Sequence, residues 1–190
     1  MSEAVKSIRE ESNALSLETE KDRKDLVFVN FGPSHPATHG TLRALCALDG
    51  ETIVAAIPEM GYLHRGFEKD CETHPYIQCV PYTDRLNYVS AIMNNIGFCK
   101  AVEKMLDVEI PERAVTIRVI TAELNRIIDH LVCVGTNLVD LGALTNFWYA
   151  FNVREKVYDI LEKLCGARLT SNYMRPGGVA RDLYEGFDLE

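Results

Sequence analysis

The sequence contains no Cys-X-X-Cys pair, although it has six cysteines in 190 residues. The cysteines are Cys46, Cys71, Cys79, Cys99, Cys133 and Cys165. Zinc sites and cysteine-held iron–sulfur clusters commonly use such pairs, so the sequence suggests neither kind of centre. Because the cysteines are spread through apolar stretches, we expect buried free thiols in a protein from a reducing compartment.

The sequence also has fewer basic than acidic residues, no apolar run of membrane-spanning length and no signal-peptide pattern. There are 20 basic against 28 acidic residues, a net charge of -8, and nucleic acid binding calls for a basic surface instead. Charged residues such as Arg118, Glu123 and Arg126 interrupt the longest apolar run before it reaches membrane-spanning length. The N-terminus lacks the basic-then-apolar pattern of a signal peptide. With 47% hydrophobic and 25% charged residues, the composition is that of an ordinary globular protein.

The first third of the chain predicts a tail and a small sheet. Residues 1–25 are polar and of mixed charge, which is typical of a flexible tail. Residues 26–58 predict an antiparallel sheet, with a strand at "LVFVNF" and a hairpin at "TLRALCALDGETIVAAI". The Asp49-Gly50 pair in the middle of that hairpin predicts a type I′ turn.

The rest, residues 59–190, predicts a helical bundle. Apolar residues recur at helical spacing over residues 84–107, 111–141 and 145–164, and Gly166 is placed to end the last helix. The second helix is apolar on much of its circumference, so we expect it deep inside a bundle. Gly135 and Gly142 leave room for a bend or a close neighbour. The predicted fold class is α+β, a small N-terminal antiparallel sheet followed by a mainly α-helical bundle.

The loop "FGPSHPATHG" carries His35 and His39 between glycines and prolines that exclude a helix. Three interpretations stay open on the residues alone. The imidazoles could cap backbone groups, or could bind a metal with further ligands that stand in no recognised spacing. The third is a stiff loop that holds one imidazole at a cavity mouth and therefore loses less entropy when a ligand binds.

Two further segments hold candidate polar residues. In "PYTDRLNYVS", Asp84, Arg85 and Tyr88 stand at a predicted helix start, where an aspartate ordinarily caps the helix and a tyrosine belongs to the core. In "EMGYLHRGFEKD", His64 and Arg65 lie between glycines, which favours a solvated turn.

The long predicted helix carries its own charged residues. The spacing of Glu123, Arg126, Asp129 and His130 predicts one or two ion pairs. Asp140 stands in the otherwise apolar "TNLVDLGAL", so we expect a buried carboxylate. Burial of a carboxylate is energetically unfavourable unless the group is paired. Buried carboxylates with perturbed pKa values are enriched at functional sites.

Six segments in order resemble the signature blocks of one family, the D-type subunits of bacterial NADH-quinone oxidoreductases, which form the quinone site of respiratory complex I. They are "NFGPSHPATHGTLR", "GYLHRGFEK", "PYTDRLNYVS", "AELNRIIDHL", "REKVYDILEKLCGAR" and "MRPGGVARDL". The resemblance covers residues 26–183. That family is similar to the large subunit of nickel–iron hydrogenases but lacks its metal-holding cysteine pairs. It implies a vacated metal site reused as a quinone cavity.

The resemblance also implies roles for individual residues. His39 matches the histidine that hydrogen-bonds a quinone carbonyl, Tyr88 the tyrosine that bonds the head group, and Asp140 the carboxylate that pairs with that histidine. A phenol and a protonated imidazole are suitable donors where negative charge develops on quinone oxygens. An adjacent carboxylate favours the protonated form of an imidazole, and loss of that ion pair on proton transfer would be a start for proton pumping.

Three further residues acquire roles from the same resemblance. Arg65 and Arg85 match arginines close to the terminal iron–sulfur cluster, and His35 is assigned to holding the shape of the loop. The family implies no metal ligand and no bound cofactor in this chain. Quinone is the substrate, NAD is used elsewhere in the complex, and the cluster belongs to a partner subunit.

The resemblance implies a peripheral subunit of a proton-pumping NADH:quinone oxidoreductase, inactive as an isolated chain. The expected place is the cytoplasmic side of the bacterial inner membrane. Expected partners are the peripheral-arm subunits, above all the terminal-cluster subunit and the C-type subunit, and a membrane subunit that helps form the quinone tunnel. The rival hypotheses are a ferredoxin- or F420-driven relative, a hydrogenase-like large subunit that binds metal, and a structural scaffold.

Two departures from the family pattern affect these expectations. Many relatives carry a histidine shortly before the "RPGG" turn, where this sequence has Thr170 in "GARLTSNYMRPGG". Without that imidazole we expect a lower, nearly pH-independent cluster potential, which suits a low-potential quinone such as menaquinone. The family also continues for about as long again after Glu190, so we expect a C-terminal half that adds more helices to the bundle.

Overall fold

The computed structural model describes residues 26–189 of the chain. The predicted tail at residues 1–25 lies outside the described residues. Packing divides the described part into two compact units, and the boundary falls between Gly66 and Phe67. The predicted division between sheet and bundle after residue 58 stays a prediction.

The first unit is built on a three-stranded antiparallel sheet in the order β1–β2–β3. Its strands are β1 (Val27–Phe31), β2 (Arg43–Asp49) and β3 (Thr52–Glu59). The predicted strand at residues 26–31 and the predicted hairpin are therefore confirmed. Ala47 pairs with Ala55 while Leu48 pairs with Ile53, so Val54 is an extra residue that bulges β3. The loop with the two histidines joins β1 to β2.

The predicted turn type is wrong. Asp49 pairs with Thr52 at the end of the hairpin, so the two connecting residues are Gly50 and Glu51. Of these two, Gly50 alone has a positive φ, +61°. A type I′ turn needs positive φ at both central residues, whereas type II′ needs it at the first. Asp49 continues the ladder instead of entering the turn, so the connection follows the type II′ pattern.

The second unit contains five α-helices within the described residues. They are α1 (Phe67–Thr73), α2 (Tyr76–Thr83), α3 (Ala91–Leu106), α4 (Glu112–Asp140) and α5 (Leu144–Cys165), followed by the short strands β4 (Met174–Arg175) and β5 (Gly178–Val179). The long helix and the last helix agree with their predicted ends to within one residue. Gly166 ends α5 in the left-handed conformation, φ +85°, as predicted. The predicted α+β fold class is confirmed.

The prediction of a helix starting at residue 84 is wrong. The amides of Arg85 and Leu86 bond back to the carbonyls of Tyr82 and Thr83, at 3.3 and 3.2 Å. These residues therefore close the end of α2, and α3 starts at Ala91 after a short 3₁₀ helix at Tyr88–Ser90. The helices α1 and α2 were not predicted, because seven or eight residues are too few to show a clear period.

One side of α4 joins the core of the second unit. The buried apolar cluster comprises Val80, Ile92, Cys99, Ile117, Ile128, Val157, Tyr158, Leu161, Leu164, Tyr173 and Met174. The prediction that the long helix lies deep inside a bundle is wrong for the described residues. Its apolar residues Val119, Ile127 and Val134 are 58%, 46% and 56% exposed, because the described neighbours cover a single face. Trp148 on α5 is also exposed.

The helices α4 and α5 approach closely at Gly135. A β-carbon at this position would lie 3.4–3.6 Å from side-chain atoms of Phe147, Ala150 and Phe151. The prediction of a close neighbour at Gly135 is confirmed.

The cysteines follow the predicted burial in part. All six are free thiols, and Cys46, Cys79 and Cys99 are buried. Burial raises the pKa of the Cys99 thiol to about 11, so this thiol stays protonated and unreactive at neutral pH. Cys71 and Cys165 are half-buried and Cys133 is exposed on α4, which corrects the expectation that all six would be buried.

Candidate functional site

His35 holds the start of the histidine loop. Residues Pro36–Thr38 form one turn of 3₁₀ helix, and the Nδ1 atom of His35 accepts a hydrogen bond from the Ala37 amide at 3.2 Å. The hydroxyl oxygen of Thr38 lies 2.8 Å from the carbonyl oxygens of both His35 and Gly40, to either of which it can donate its one proton. The His35 ring also meets Phe31 edge-on at 5.6 Å. The loop is therefore fixed from within by short-range contacts.

His39 ends the 3₁₀ turn in the left-handed conformation, with φ +48° and ψ +33°. This conformation is uncommon for residues other than glycine, although histidine is among the more tolerant ones. Its side chain is exposed. The interpretation of a stiff loop that holds one imidazole at a cavity mouth stays a prediction.

Tyr88 opens the 3₁₀ helix before α3, and its side chain is 63% exposed. The expectation of an ordinary core tyrosine is therefore wrong, since the ring points away from the core. The carbonyl of Asn87, just before Tyr88, accepts bonds from the Ser90 amide at 3.0 Å and from the Nδ2 atom of Asn94 at 3.1 Å. The backbone at Tyr88 is thus held while its phenol faces outward.

Asp84 does not cap a helix start. It follows α2 and is fully buried, and its Oδ1 atom accepts a hydrogen bond from Asn95 Nδ2 at 2.5 Å. Burial raises the pKa of Asp84, although the hydrogen bond from Asn95 and the charge of Arg85 act in the opposite direction. The same Nδ2 atom lies 2.8 Å from the hydroxyl oxygen of Thr83. Asp84 therefore ties the end of α2 to α3.

The two candidate arginines lie in different units. Arg65 is exposed in the segment that precedes α1. Arg85 folds back over the end of α2, where its Nη1 atom donates to the carbonyl of Pro81 at 2.6 Å and lies 3.8 Å from Asp84 Oδ2. Cations are favoured at this end of a helix because its free carbonyls carry partial negative charge.

Asp140 is the last residue of α4, and its side chain is exposed. The prediction of a buried carboxylate is wrong for the described residues, because the apolar residues around it, including Val139 and Leu141, are themselves exposed. The charged group nearer the middle of α4 behaves as predicted: Arg126 and Glu123 form an exposed ion pair at 3.0 Å.

A buried ion pair supports the "RPGG" turn. Arg118 on α4 contacts Glu103 on α3, with Nη1 3.0 Å from Oε2 and both side chains about 95% buried. Arg118 Nη2 also donates to the carbonyls of Arg175 and Gly178, each at 2.9 Å. Glu103 Oε1 accepts from the Gly177 amide at 2.7 Å. One charge pair therefore fastens the β4–β5 turn to two helices.

Sequence reasoning missed the polar residues behind Tyr88, above all Asn95 and Asn125. A weak signal existed in the long helix. Ile117, Thr121, Asn125 and Ile128 recur at spacings of four, four and three, which is the spacing of a buried face. A polar side chain in such a row must bond to something inside the fold.

The described residues contain neither a candidate metal cluster nor a candidate membrane-spanning helix. Between residues 26 and 189, no three His, Cys, Asp or Glu side chains come close enough together to hold a metal ion. None of the helices described for this chain is both long and apolar enough to span a bilayer.

Comparison with known proteins gives consistent matches. A family model described as the respiratory-chain NADH dehydrogenase 49 kDa subunit matches residues 140–190. The combined C/D subunit of the NADH-quinone oxidoreductase of Bdellovibrio bacteriovorus is 64% identical over 159 residues, 84% of this chain and 28% of that protein. The D subunit of the Myxococcus xanthus enzyme is 56% identical over 84% of this chain and 38% of that protein. The D subunit of the Geobacter sulfurreducens enzyme is 52% identical over 87% of this chain and 43% of that protein. The chain thus spans less than half the length of these relatives.

Proposed function

Because the chain belongs to the D-type (49 kDa) subunit family of NADH-quinone oxidoreductases, we propose that it forms part of the quinone-reduction site of such an enzyme complex. One observation carries the proposal: relatives named as subunits of this oxidoreductase are 52–64% identical over 84–87% of the chain. The proposed activity is that of the complex, which passes electrons from NADH to quinone and pumps protons. The isolated chain is not proposed to be active.

Partners and cofactors follow from the same proposal. The chain holds no cofactor of its own; NAD and the terminal iron–sulfur cluster are held by other subunits, and quinone is the substrate. Thr170 stands where many relatives have a histidine, and without that imidazole a lower cluster potential is expected. A low-potential quinone such as menaquinone is therefore proposed as the substrate. The proposed partners are the cluster subunit, the C-type subunit and the membrane subunit of the quinone tunnel. A relative whose name joins C and D supports the C-type subunit as a neighbour. The complex is proposed to lie at the cytoplasmic face of the bacterial inner membrane.

The residue roles rest on donor chemistry. Reduction of a quinone takes two electrons and two protons, so a donor is needed at each carbonyl oxygen. We assign the phenol of Tyr88 and the imidazole of His39 to these oxygens, because both donors are exposed side chains on locally fixed backbone. His35 is assigned to the shape of the loop that carries His39. Arg65 and Arg85 are assigned to the neighbourhood of the cluster, where positive charge stabilises added electrons.

Asp140 is proposed to pair with the protonated form of His39. An adjacent carboxylate favours the charged form of an imidazole. Loss of the imidazolium proton to the substrate would remove this ion pair and change the electrostatic field at Asp140.

Substitution of Tyr88 or His39 tests the proposed site. In the assembled complex, Tyr88→Phe and His39→Ala are each expected to lower NADH-driven quinone reduction by at least about tenfold, because a positioned proton donor contributes that much or more. NADH oxidation with a water-soluble artificial acceptor should not change. Tyr149→Phe, at another exposed tyrosine, is the matched control. Normal quinone reduction by both variants would reject the proposal in favour of a purely structural scaffold.

Asp140→Asn tests the coupling step. The amide keeps the shape of the carboxylate but cannot form an ion pair with an imidazolium, so quinone turnover, proton pumping per turnover, or both are expected to fall. The two quantities are measured together in vesicles that contain the complex. Asp107→Asn removes an exposed carboxylate at another helix end and serves as control. Unaltered turnover and pumping in the Asp140 variant would remove this residue from the mechanism.

A further inference from the structure

We propose that Asn125 is a positioning residue for Tyr88, and that its side-chain amide fixes the turn which presents the phenol. The inference rests on the proposed function, because it concerns the same quinone site. It adds a residue from the middle of α4 that touches neither the phenol nor, as proposed, the substrate.

Asn125 bonds to the backbone immediately after Tyr88 with both ends of its amide. Its Nδ2 atom donates to the carbonyl of Val89 at 3.1 Å, and its Oδ1 atom accepts from the amide of Ile92 at 3.0 Å. The side chain is 4% exposed, so water competes little for these two bonds. The 3₁₀ turn and the start of α3 are thereby attached to α4.

The start of α3 lacks the usual local cap. Ser90 occupies the N-cap position, but its side chain makes no capping hydrogen bond. The first amides of a helix have no partner within the helix and need one from elsewhere. Asn125 supplies that partner for Ile92 from a different helix, 33 residues away in sequence. The position of Tyr88 is thus set by where α4 lies against α3.

The preceding side of Tyr88 is held as well. Asn94 donates to the carbonyl of Asn87. Asp84, three residues before Asn87, accepts a hydrogen bond from Asn95. Tyr88 therefore stands between two anchored backbone segments, while its own ring is exposed. An arrangement that fixes the backbone and exposes the side chain is what a positioned proton donor requires.

The chemistry of the amide gives a specific test, Asn125→Asp. An ionised carboxylate keeps the acceptor for the Ile92 amide but loses the donor for the Val89 carbonyl, which it then faces with negative charge. A protonated carboxyl regains the donor. The groups that Asn125 contacts, a backbone carbonyl and a backbone amide, do not titrate. Burial disfavours the ionised form, so the substituted carboxyl should protonate in mildly acidic solution.

We would measure kcat and KM for a short-chain quinone with a decyl tail, in the assembled complex, from pH 6 to pH 8.5. Asn125→Asp is expected to lower kcat/KM roughly tenfold or more in the alkaline range and to recover towards the parent complex as the pH falls. NADH oxidation with a water-soluble acceptor should stay unchanged. Asn152→Asp, which adds the same charge at an exposed position of α5, should show no such pH-dependent loss. A loss that does not respond to pH would overturn the inference.

A double variant shows whether Asn125 acts through Tyr88. If it does, Asn125→Asp combined with Tyr88→Phe should be no worse than Tyr88→Phe alone, whereas independent, multiplying losses would contradict the inference. Should Asn125→Asp fail to assemble, Asn94→Ala removes the bond on the other side of Tyr88 from a half-buried position. It should change the quinone kcat/KM severalfold and be masked by Tyr88→Phe in the same way, and unchanged kinetics would again overturn the inference.

The outcomes separate this inference from the proposed function. If Tyr88→Phe leaves quinone reduction intact, the proposed role of the phenol fails and the positioning role fails with it. If Tyr88→Phe lowers quinone reduction but Asn125→Asp behaves like the parent complex at every pH, the positioning role alone fails.

Discussion

Replacement of Arg118 by methionine is expected to destabilise the second unit by about 3–5 kcal/mol, because it leaves the buried carboxylate of Glu103 without its partner. The two side chains are 4% and 5% exposed, so water cannot replace the lost guanidinium. The variant also loses the bonds from Arg118 to the carbonyls of Arg175 and Gly178. Urea unfolding of the purified chain, followed by circular dichroism, measures the effect.

Two further variants make the test specific. Arg126→Met breaks the exposed pair with Glu123 on the same helix and should change the unfolding free energy by less than about 1 kcal/mol. Adding Glu103→Leu to Arg118→Met removes the stranded charge and should recover part of the loss. Equal losses from Arg118→Met and Arg126→Met would show that burial does not govern the strength of the pair.

The pH dependence of the Arg118 variant has a definite sign. Burial acts to raise the pKa of Glu103, but the bonds from Arg118 and the Gly177 amide outweigh it, so the pKa lies below its ordinary value. The stability from this pair is therefore present above the pKa of an unfolded glutamate and is lost as the pH falls through the lowered native pKa. In Arg118→Met burial prevails and raises the pKa, so acid relieves the buried charge. The stability gap between parent and variant should narrow between pH 7 and about pH 4.

Gly32→Ala is expected to disrupt the loop that carries His35 and His39. Gly32 has φ +88°, and a β-carbon there would lie 1.8 Å from the carbonyl oxygen of Leu42. The conformational strain and the forced backbone shift each contribute about 1–3 kcal/mol. The result should be a lower thermal unfolding midpoint, faster amide exchange at the start of β2, and loss of quinone reduction in the assembled complex.

Gly50→Ala is the matched control for this effect. Gly50 lies in the turn that joins β2 to β3 and also has a positive φ, but nothing lies within 4 Å of where its β-carbon would stand. The control therefore bears the conformational strain without the clash and should be milder, with quinone reduction retained. If the two variants lower the midpoint equally, the close approach to Leu42 has no separate effect.

Hydrophobic periodicity predicted the long elements well. The strands, α4 and α5 contain enough residues for a period to be visible, and Gly166 marks the end of α5. The same signal failed for α1 and α2, which are short, and for residues 84–87, where Leu86 is in phase with α3 but belongs to the end of α2. Whether Asp49 enters a turn depends on strand pairing, which a dipeptide does not determine.

The candidate site shows a different limit. Its loop could be predicted because proline fixes φ and removes an amide donor, and glycine disfavours a helix through its conformational freedom. Tyr88 could be named from the family resemblance. The exposure of Asp140 could not, because apolar neighbours in sequence do not reveal which helix faces are covered. The amide bonds of Asn125 were missed for a related reason, since they join residues more than thirty positions apart.

The fixed backbone at Tyr88 has a thermodynamic consequence for any molecule that meets the phenol. An exposed tyrosine on anchored backbone has two side-chain torsions left to settle, whereas a residue on a mobile loop would also have to freeze several pairs of φ and ψ. Ordering one backbone residue takes about 1–2 kcal/mol at 25 °C. Most of this backbone entropy is already lost when the chain folds. A new contact with the Tyr88 ring therefore contributes almost all of its free energy to binding affinity.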